Sequence, residues 1–252
     1  MNKSITAGQL KLLAAATMLV DHIGYLFFDG SFFYEPMRVI GRLSFPLYCF
    51  FLVEGLTHTR NVFRYMGRLL LFALLSELPF DLMVYRNDIS FVFQTPAKIL
   101  RIFSGKQNVL WTLLIGLIVI WICSKLKSYW FHIPTVFLGM MASYALATDY
   151  KNYGILIIYF FWAFPIGRAE PAGDLTDEYG EFTLQKVKLI LCQIVCNLLG
   201  GVRQAFGACA LFPLFLYRGE KGKNFGGRYF FYLFYPVHML VLVGIYYVLY
   251  LM

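Results

Sequence analysis

Long apolar stretches are the sequence feature that most limits how this chain can fold. A helix that crosses a bilayer needs roughly 17 to 25 predominantly apolar residues. The sequence offers repeated stretches close to this length, at 10–28, 39–57, 67–85, 109–125, 130–147, 153–167, 186–200, 205–217 and 229–251. The sixth to eighth are short, and the region 182–217 can be divided differently. The pattern predicts an all-α, polytopic transmembrane helical bundle of about nine spans, with eight or ten as alternatives.

The composition supports a membrane protein and argues against a soluble one. Hydrophobic residues make up 60% of the chain and charged residues only 14%, whereas soluble domains are about half apolar and about a quarter charged. No repeat or low-complexity segment divides the sequence, so residues 1–252 are predicted to form a single integral membrane domain. The first apolar stretch lacks the cleavage site of a signal peptide and is interpreted as the first span.

Basic residues near span ends indicate which side of the membrane faces the cytoplasm. Basic clusters follow the second, fourth and eighth predicted spans. With nine spans, these connections lie on the side of the N-terminus, which favours a multi-pass inner (cytoplasmic) membrane protein with a cytoplasmic N-terminus. The basic stretch 86–107 opposes this orientation and is interpreted as an interfacial amphipathic helix or a re-entrant segment. Anionic lipid facing the basic span ends accounts for the net charge of +8, so the bilayer is an expected partner and nucleic acid is not.

The five cysteines lie in or beside apolar spans, and Cys192 and Cys196 stand four residues apart in the seventh. This spacing lacks the paired pattern of a zinc site. We expect buried, small hydrophobic side chains, with no disulfide framework and no bound metal.

Ionisable residues inside the first predicted span point to a functional centre, because charge at membrane depth costs several kcal/mol. Lys11 and His22 are 11 residues apart, close to three helical turns, so both lie on one face. They are separated by roughly 16 Å along the helix axis. Asp21 points about 100° away from His22 and needs a partner on another helix. A polar histidine that merely bridges two helices is the structural alternative.

The second and third predicted spans add further ionisable residues. Arg42 lies just inside one end of the second span, and Glu54 lies near its other end. Glu77 and Asp81 share a helix face in the third span, with Pro79 between them. Two carboxylates on one face repel each other unless one is protonated or a cation lies between them. The competing interpretations are an arginine that snorkels to the interface and a solvated helix end.

Two features at the predicted cytoplasmic side suit a phosphate group. Arg60, Arg64 and Arg68 recur every four residues and form a cationic helix face. The glycine-rich connection RGEKGKNFGGR, which includes Lys221 and Lys223, could bind phosphate through backbone N–H groups. Ordinary basic cytoplasmic loops are the alternative interpretation. Three other polar residues stand out in the apolar sequence, namely Asn108, Tyr235 and His238.

Five segments, in the same order and spread over most of the chain, resemble the TraX family. They are LKLLAAATMLVDHIGYLFF, IGRLSFPLYCFFLVEG, RLLLFALLSELPFDL, QNVLWTLLIG and FFYLFYPVHMLVL. The family consists of inner-membrane proteins associated with N-terminal acetylation of conjugative pilin, and it is grouped with the acyltransferase type 3 superfamily. That superfamily carries a basic residue, ten residues and then a histidine in the first span, a spacing that Lys11 and His22 reproduce. The acidic loop 169–182 has no counterpart in the family pattern.

The resemblance implies an acyltransferase that uses acetyl-CoA, or another acyl-CoA, as donor. By this resemblance, His22 would be the catalytic histidine and Lys11 its basic partner. From their places in the predicted spans, Asp21, Glu77 or Asp81 would support the imidazole of His22 as it acts as a base. The acceptor stays open among a peptide N-terminus such as that of pilin, a glycan and a lipid. Candidates for contacting the substrate or the oxyanion are Arg42, Glu54, Asn108, Tyr235 and His238; those for holding the donor phosphates are Arg60, Arg64, Arg68, Lys221 and Lys223.

A transporter is the main alternative from another functional class. His22, Asp21, Glu77 and Asp81 could equally relay protons or bind a cation, since intramembrane ionisable pairs serve that purpose. No inverted repeat is visible, which weakens this alternative. A catalytically silent scaffold would leave the buried charges unexplained.

Overall fold

The computed structural model describes residues 5–87, 105–166, 175–217, 219–222 and 229–250. Within these ranges the chain is helical and forms no strand, as predicted; two isolated bridges are the only β-type pairings. Two short 3-10 helices lie at Tyr129–Phe131 and Phe206–Ala210. The α-helices are α1 (Ala7–Phe27), α2 (Tyr34–Gly41), α3 (Ser44–His58), α4 (Val62–Val84), α5 (Val109–Cys123), α6 (His132–Ala145), α7 (Lys151–Ala163), α8 (Leu175–Leu199), α9 (Val202–Ala205), α10 (Leu211–Phe215) and α11 (Phe230–Tyr250).

Three helical stretches in the described part are long and apolar enough to cross a membrane. They are Ala7–Phe27, Tyr34–His58 and Phe230–Tyr250, and Val109–Cys123 and Val202–Phe215 are shorter apolar helices. The exposed faces agree with a membrane protein: Leu71, Leu74, Leu75 and Leu78 follow one face of α4 and are 46 to 55% exposed. A soluble protein rarely exposes such a contiguous apolar strip. The number of spans stays a prediction.

Local sequence explains where several helices begin. Thr6 caps α1 in a capping box with Gln9, and Asn61 and Asn108 accept backbone hydrogen bonds at the starts of α4 and α5. The predicted second span is two helices, because the chain turns between Gly41 and Ser44. Pro46 lies in the first turn of α3, where its missing N–H would have no helical partner anyway.

Six helices form a closed ring. α1 packs against α3 and α11, α11 against α4, α4 against α5, α5 against α7, and α7 against α3. α2 lies against α1, α6 packs outside the ring on α5 and α7, and α8 packs on α7. The ring therefore joins the first and last helices of the chain.

Backbone hydrogen bonds fix both ends of the ring. The amides of Ala7 and Gly8 donate to the carbonyls of Glu220 and Lys221, at 2.8 and 3.1 Å, which ties the start of α1 to the connection before α11. Elsewhere the amide of Gln107 donates to the carbonyl of Ala147 at 3.1 Å, which joins the connections before α5 and α7. Residues 88–104 of the predicted 86–107 segment and residues 169–174 of the predicted 169–182 loop lie outside the described residues, and the rest of that loop, 175–182, is the start of α8.

Candidate functional site

A cavity of about 710 Å³ lies inside the ring, and all six ring helices or the residues next to them contribute to its wall. At one end, called the Lys11 end, the wall includes Lys11, His58 and Arg68. At the other, called the Asp149 end, it includes Lys106 and Asp149. Lys11 and His22, predicted from their spacing to share a helix face, both line this cavity.

His22 contacts a second histidine from the other end of the sequence. Its Nδ1 lies 2.7 Å from Nε2 of His238 on α11. The Nδ1 of His238 lies 2.6 Å from the backbone carbonyl oxygen of Phe234. His238 is buried, whereas His22 is partly exposed to the cavity. Both histidines stand out in the sequence, but no sequence pattern predicts their contact.

Asp21 is engaged by two guanidinium groups. Its Oδ2 accepts a hydrogen bond from Arg38 at 2.7 Å, and its Oδ1 accepts one from Arg42 at 2.6 Å. Gly41 makes this arrangement possible, because a Cβ at that position would overlap the Asp21 side chain. The partner that Asp21 needed on another helix is therefore an arginine pair, and the imidazole of His22 contacts His238 instead.

A series of hydrogen bonds between buried polar residues leads away from Arg42 and helps to hold its guanidinium group in place. Arg42 Nη1 lies 3.5 Å from Oε1 of Gln204, whose amide nitrogen donates to Asn197 at 3.0 Å. Asn197 in turn donates to the carbonyl of Gln193 at 2.7 Å. All three amide side chains are buried. The sequence signal for this series of hydrogen bonds is the presence of amide residues at helical spacing in an apolar segment, and these residues were not among the predicted site residues.

Glu77 lies between α4 and α5 and does not line the cavity. The side-chain amide of Asn108 donates to its carboxylate and to the carbonyl oxygen of Ala73. The indole of Trp111 donates to Glu77 Oε2 at 3.1 Å. Asp81, one turn further along α4, also lies away from the cavity wall. The structure therefore does not bring Glu77, Asp81 or Asn108 to His22.

The basic residues predicted to hold phosphate separate into two groups. Arg68 lines the Lys11 end of the cavity, with its guanidinium carbon 5.5 Å from the centroid of the Tyr65 ring. Arg60 and Arg64 are exposed and lie outside the wall. Lys221 is exposed beside the start of α1, and Lys223 lies outside the described residues. The ammonium of Lys11 lies 5.2 Å from the centroid of Phe51.

Of the remaining predicted site residues, some line the cavity and others do not. Arg42 and Tyr235 line the cavity, whereas Glu54 lies near the exposed end of α3, 3.9 Å from His58. Three wall residues with an acidic, lysine or arginine side chain were not selected from the sequence as site residues: Arg38, Lys106 and Asp149. Arg38 precedes Arg42 by one helical turn, which was the available signal. Lys106 pairs with Asp149 at 2.6 Å, and this carboxylate raises the pKa of the Lys106 ammonium.

The described residues contain no group of three histidine, cysteine or acidic side chains that could hold a metal ion. All five cysteines are free, and Cys49, Cys123 and Cys196 are buried.

Comparisons with known proteins agree over nearly the whole chain. The family described as TraX protein matches residues 6–246. The chain is 34% identical over 250 residues to a "probable fimbrial assembly protein FimC, serogroup H1" from Dichelobacter nodosus, and the alignment covers 96% of each chain. No solved structure matches.

Proposed function

The chain belongs to the TraX family, and from this premise we propose that it is an integral membrane acyltransferase. The proposed reaction moves an acetyl or other acyl group from acyl-CoA to an amine or hydroxyl acceptor. The related Dichelobacter nodosus protein is named for fimbrial assembly, which makes the N-terminus of a fimbrial subunit a candidate acceptor. Glycans and lipids are the other acceptor classes.

One observation carries the proposal: the imidazole of His22 faces a large, partly open cavity whose described wall residues at the Lys11 end include cations but no carboxylate. Glu54, which lies 3.9 Å from His58, is outside the wall. Among the described residues of the wall, the two carboxylates are Asp21 and Asp149, and both lie away from Lys11 and Arg68. This end suits the phosphates of an acyl-CoA donor, because a cation without a paired carboxylate attracts an anionic ligand.

The proposed chemistry uses His22 as a general base and then as a general acid. The lone pair of the acceptor nitrogen or oxygen attacks the thioester carbonyl carbon, and His22 takes the proton that the acceptor loses. The tetrahedral intermediate then collapses, the C–S bond breaks, and the imidazolium returns the proton to the departing thiolate. The products are the acylated acceptor and free CoA, and His22 ends in its starting form. A positioned base contributes about 10²- to 10⁴-fold in rate.

Arg42 and Tyr235 are the proposed donors to the oxyanion of the intermediate. Both line the cavity, which supports them over Asn108, because Asn108 lies outside the cavity wall. The ion pair with Asp21 and the contact with Gln204 hold Arg42 in place. A donor fixed before the reaction has no reorganisation cost when the negative charge develops.

We also propose that the protein crosses the inner membrane nine times, with the N-terminus in the cytoplasm. The nine passes would be α1, α2 with α3, α4, α5, α6, α7, α8, the stretch from α9 to α10, and α11. This orientation places the Lys11 end towards the cytoplasm, where acyl-CoA is made available. It also places the connections 59–61 and 124–131 on that side.

A proton- or cation-coupled transporter is the alternative function. The buried charge network of Asp21, Arg38 and Arg42 favours it only weakly, because both oxygens of Asp21 are already paired with guanidinium groups. Potential-dependent uptake by proteoliposomes without acyl transfer would favour the transporter.

The test is release of free CoA from acetyl-CoA by purified protein in nanodiscs, comparing the wild type with His22→Ala. His132→Gln is the matched histidine control, because His132 lies on α6 outside the cavity wall. We expect slow turnover by the wild type and by His132→Gln, and a loss of at least about 10²-fold in His22→Ala. Full turnover by a folded His22→Ala protein would reject His22 as the base. If the wild type is idle without an acceptor, a CoA binding isotherm decides, and absence of binding would reject the acyltransferase.

A further inference from the structure

Proton positions in the histidine pair can be derived from its hydrogen-bond partners. The Nδ1 of His238 lies 2.6 Å from the carbonyl oxygen of Phe234. A carbonyl oxygen can only accept a hydrogen bond, so Nδ1 of His238 must carry the proton. A neutral imidazole has one N–H and one lone pair, which places the lone pair of His238 on Nε2.

This lone pair faces His22. The Nε2 of His238 lies 2.7 Å from Nδ1 of His22, so His22 must donate from Nδ1. The two ring planes differ by 1° and their centroids are 4.9 Å apart. Atoms of stacked rings approach no closer than about 3.5 Å, so nitrogens at 2.7 Å place the rings edge to edge in one plane. An in-plane N–H pointing at an in-plane lone pair is the geometry that this hydrogen bond requires.

The surrounding side chains hold His238 in this orientation. The ring of Phe234 lies nearly parallel to that of His238, with centroids 4.7 Å apart. His238 is buried in α11, and the reverse tautomer would place its Nδ1 lone pair against the Phe234 carbonyl. The opposing lone pairs would repel each other, and the Phe234 carbonyl would lose this donor. The tautomer of His238 is therefore fixed by its own helix, and that of His22 by His238.

We propose that His238 is a positioning residue that leaves Nε2 of His22 unprotonated and available to the substrates. This inference rests on the proposed acyltransferase function and adds to it which nitrogen acts. Nε2 of His22 has no hydrogen-bond partner within the described part of the chain, and the ring lines the cavity. The acceptor proton moves to Nε2 and later to the thiolate of CoA, while the Nδ1 proton stays between the two histidines throughout. A neutral imidazole here does what a carboxylate does in many histidine-dependent enzymes.

The first test reads the tautomers without any substrate. Protein labelled with ¹⁵N at its four histidines would be measured by NMR at about pH 8, where an ordinary histidine is neutral. We expect both His22 and His238 to carry the proton on Nδ1. A coupling across the N–H···N hydrogen bond should connect Nδ1 of one ring to Nε2 of the other and so identify both residues. A proton on Nε2 of His22, or no coupling between the rings, would overturn the inference whatever the enzyme does.

The second test uses two replacements of His238. His238→Gln keeps a side-chain carbonyl that can accept from Nδ1 of His22, whereas His238→Phe keeps an aromatic ring without an acceptor. We expect His238→Phe to lower kcat by about 10²- to 10⁴-fold with little change in the KM for acetyl-CoA, since a histidine held in the wrong tautomer loses about that factor. His238→Gln should recover part of this loss. Equal kcat in the wild type and a folded His238→Phe would overturn the positioning role.

The two tests separate this inference from the proposed function. The expected NMR pattern together with no acyl transfer by the wild type would reject the acyltransferase and, with it, the catalytic role of His238. The hydrogen-bond arrangement itself would stand. Acyl transfer with the opposite tautomer on His22 would reject the positioning role and keep the enzyme.

Discussion

Among the described residues, the buried carboxylates Asp21 and Glu77 are stabilised in different ways. Asp21 has two guanidinium partners, whereas Glu77 has two neutral donors, the side chains of Asn108 and Trp111. Only Asp21 lines the cavity. An ion pair at the cavity wall keeps charge near the proposed reaction. The bonds to Glu77, by contrast, tie α4 to the first turn of α5, so its contacts favour a structural role.

A pair of substitutions distinguishes a structural Glu77 from a catalytic one. Glu77→Gln keeps an oxygen that can accept from both donors, so we expect turnover and thermal stability close to wild type. Glu77→Leu removes the carboxylate that both donors share, and the loss of a hydrogen-bond acceptor from a buried group costs about 1 to 3 kcal/mol. Thermal unfolding in detergent and CoA release would be measured for both variants. A loss of about 10²-fold in turnover by a stable Glu77→Gln protein would support the catalytic assignment made from the sequence.

At the scale of single residues, the sequence predicts the relative positions of side chains that lie on the same helix. The helical repeat alone places Lys11 and His22 on one face, and the structure shows both at the cavity wall. The contact between His22 and His238 joins residues 216 positions apart. The helical repeat cannot predict this contact, because the contact depends on how α1 and α11 pack against each other.

At the scale of elements, α1 and α2 approach closely because glycines lie between them. A Cβ at Gly41 would overlap the Asp21 side chain, and one at Gly24 would come within 2.8 Å of the Cβ of Met37. Small residues let helices pack with little space between their backbones. The sequence showed both glycines, but it did not show that α2 folds back against α1.

Gly41→Ala tests whether this close packing holds the ion pair. We expect the added methyl group to displace Asp21 and to lower the free energy of unfolding by about 1 to 3 kcal/mol, as overpacking does. Gly67→Ala is the control, because a Cβ at Gly67 in α4 meets nothing within 4 Å. Replacing an unpacked helical glycine with alanine should stabilise by up to about 1 kcal/mol. Equal thermal shifts for the two variants would contradict the packing argument.

The predicted helix positions agree with the structure where the apolar stretch is continuous, as in α1, α5 and α11. They differ where a polar or small residue interrupts it. The predicted second span, 39–57, contains a turn between Gly41 at the end of α2 and Ser44 at the start of α3, and the predicted eighth span is divided into α9, a 3-10 helix and α10. Hydropathy averages over about twenty residues and therefore does not detect a break of two or three.

At the scale of the whole molecule, the ring of six helices gives the cavity its shape. Composition predicted helices in a membrane, but the order in which they pack depends on side-chain fit between helices distant in sequence. α3 therefore packs on α7, although three other α-helices of the described part lie between them in the chain. Neither the ring nor the cavity could be predicted from the apolar pattern.

The proposed topology predicts opposite accessibility for two connections. Single cysteines would be introduced in a cysteine-free background as Ser31→Cys, between α1 and α2, and Lys127→Cys, between α5 and α6; both positions are exposed or partly exposed. An impermeant thiol reagent added to intact cells should label Cys at position 31, and should reach position 127 only after the inner membrane is opened. Labelling of both positions from the same side would contradict nine spans with a cytoplasmic N-terminus.

The packing of α1 against α11 also has a consequence for biosynthesis. During synthesis, Lys11 and His22 enter the membrane long before His238 is made. The amides of Ala7 and Gly8 likewise have no Glu220 or Lys221 carbonyl to bind until the chain has reached those residues. Contacts between such distant residues form late in folding. A nascent chain that ends before residue 230 thus has its histidine but not the neighbour that orients it, so the complete centre arises only once synthesis of the last helix is finished.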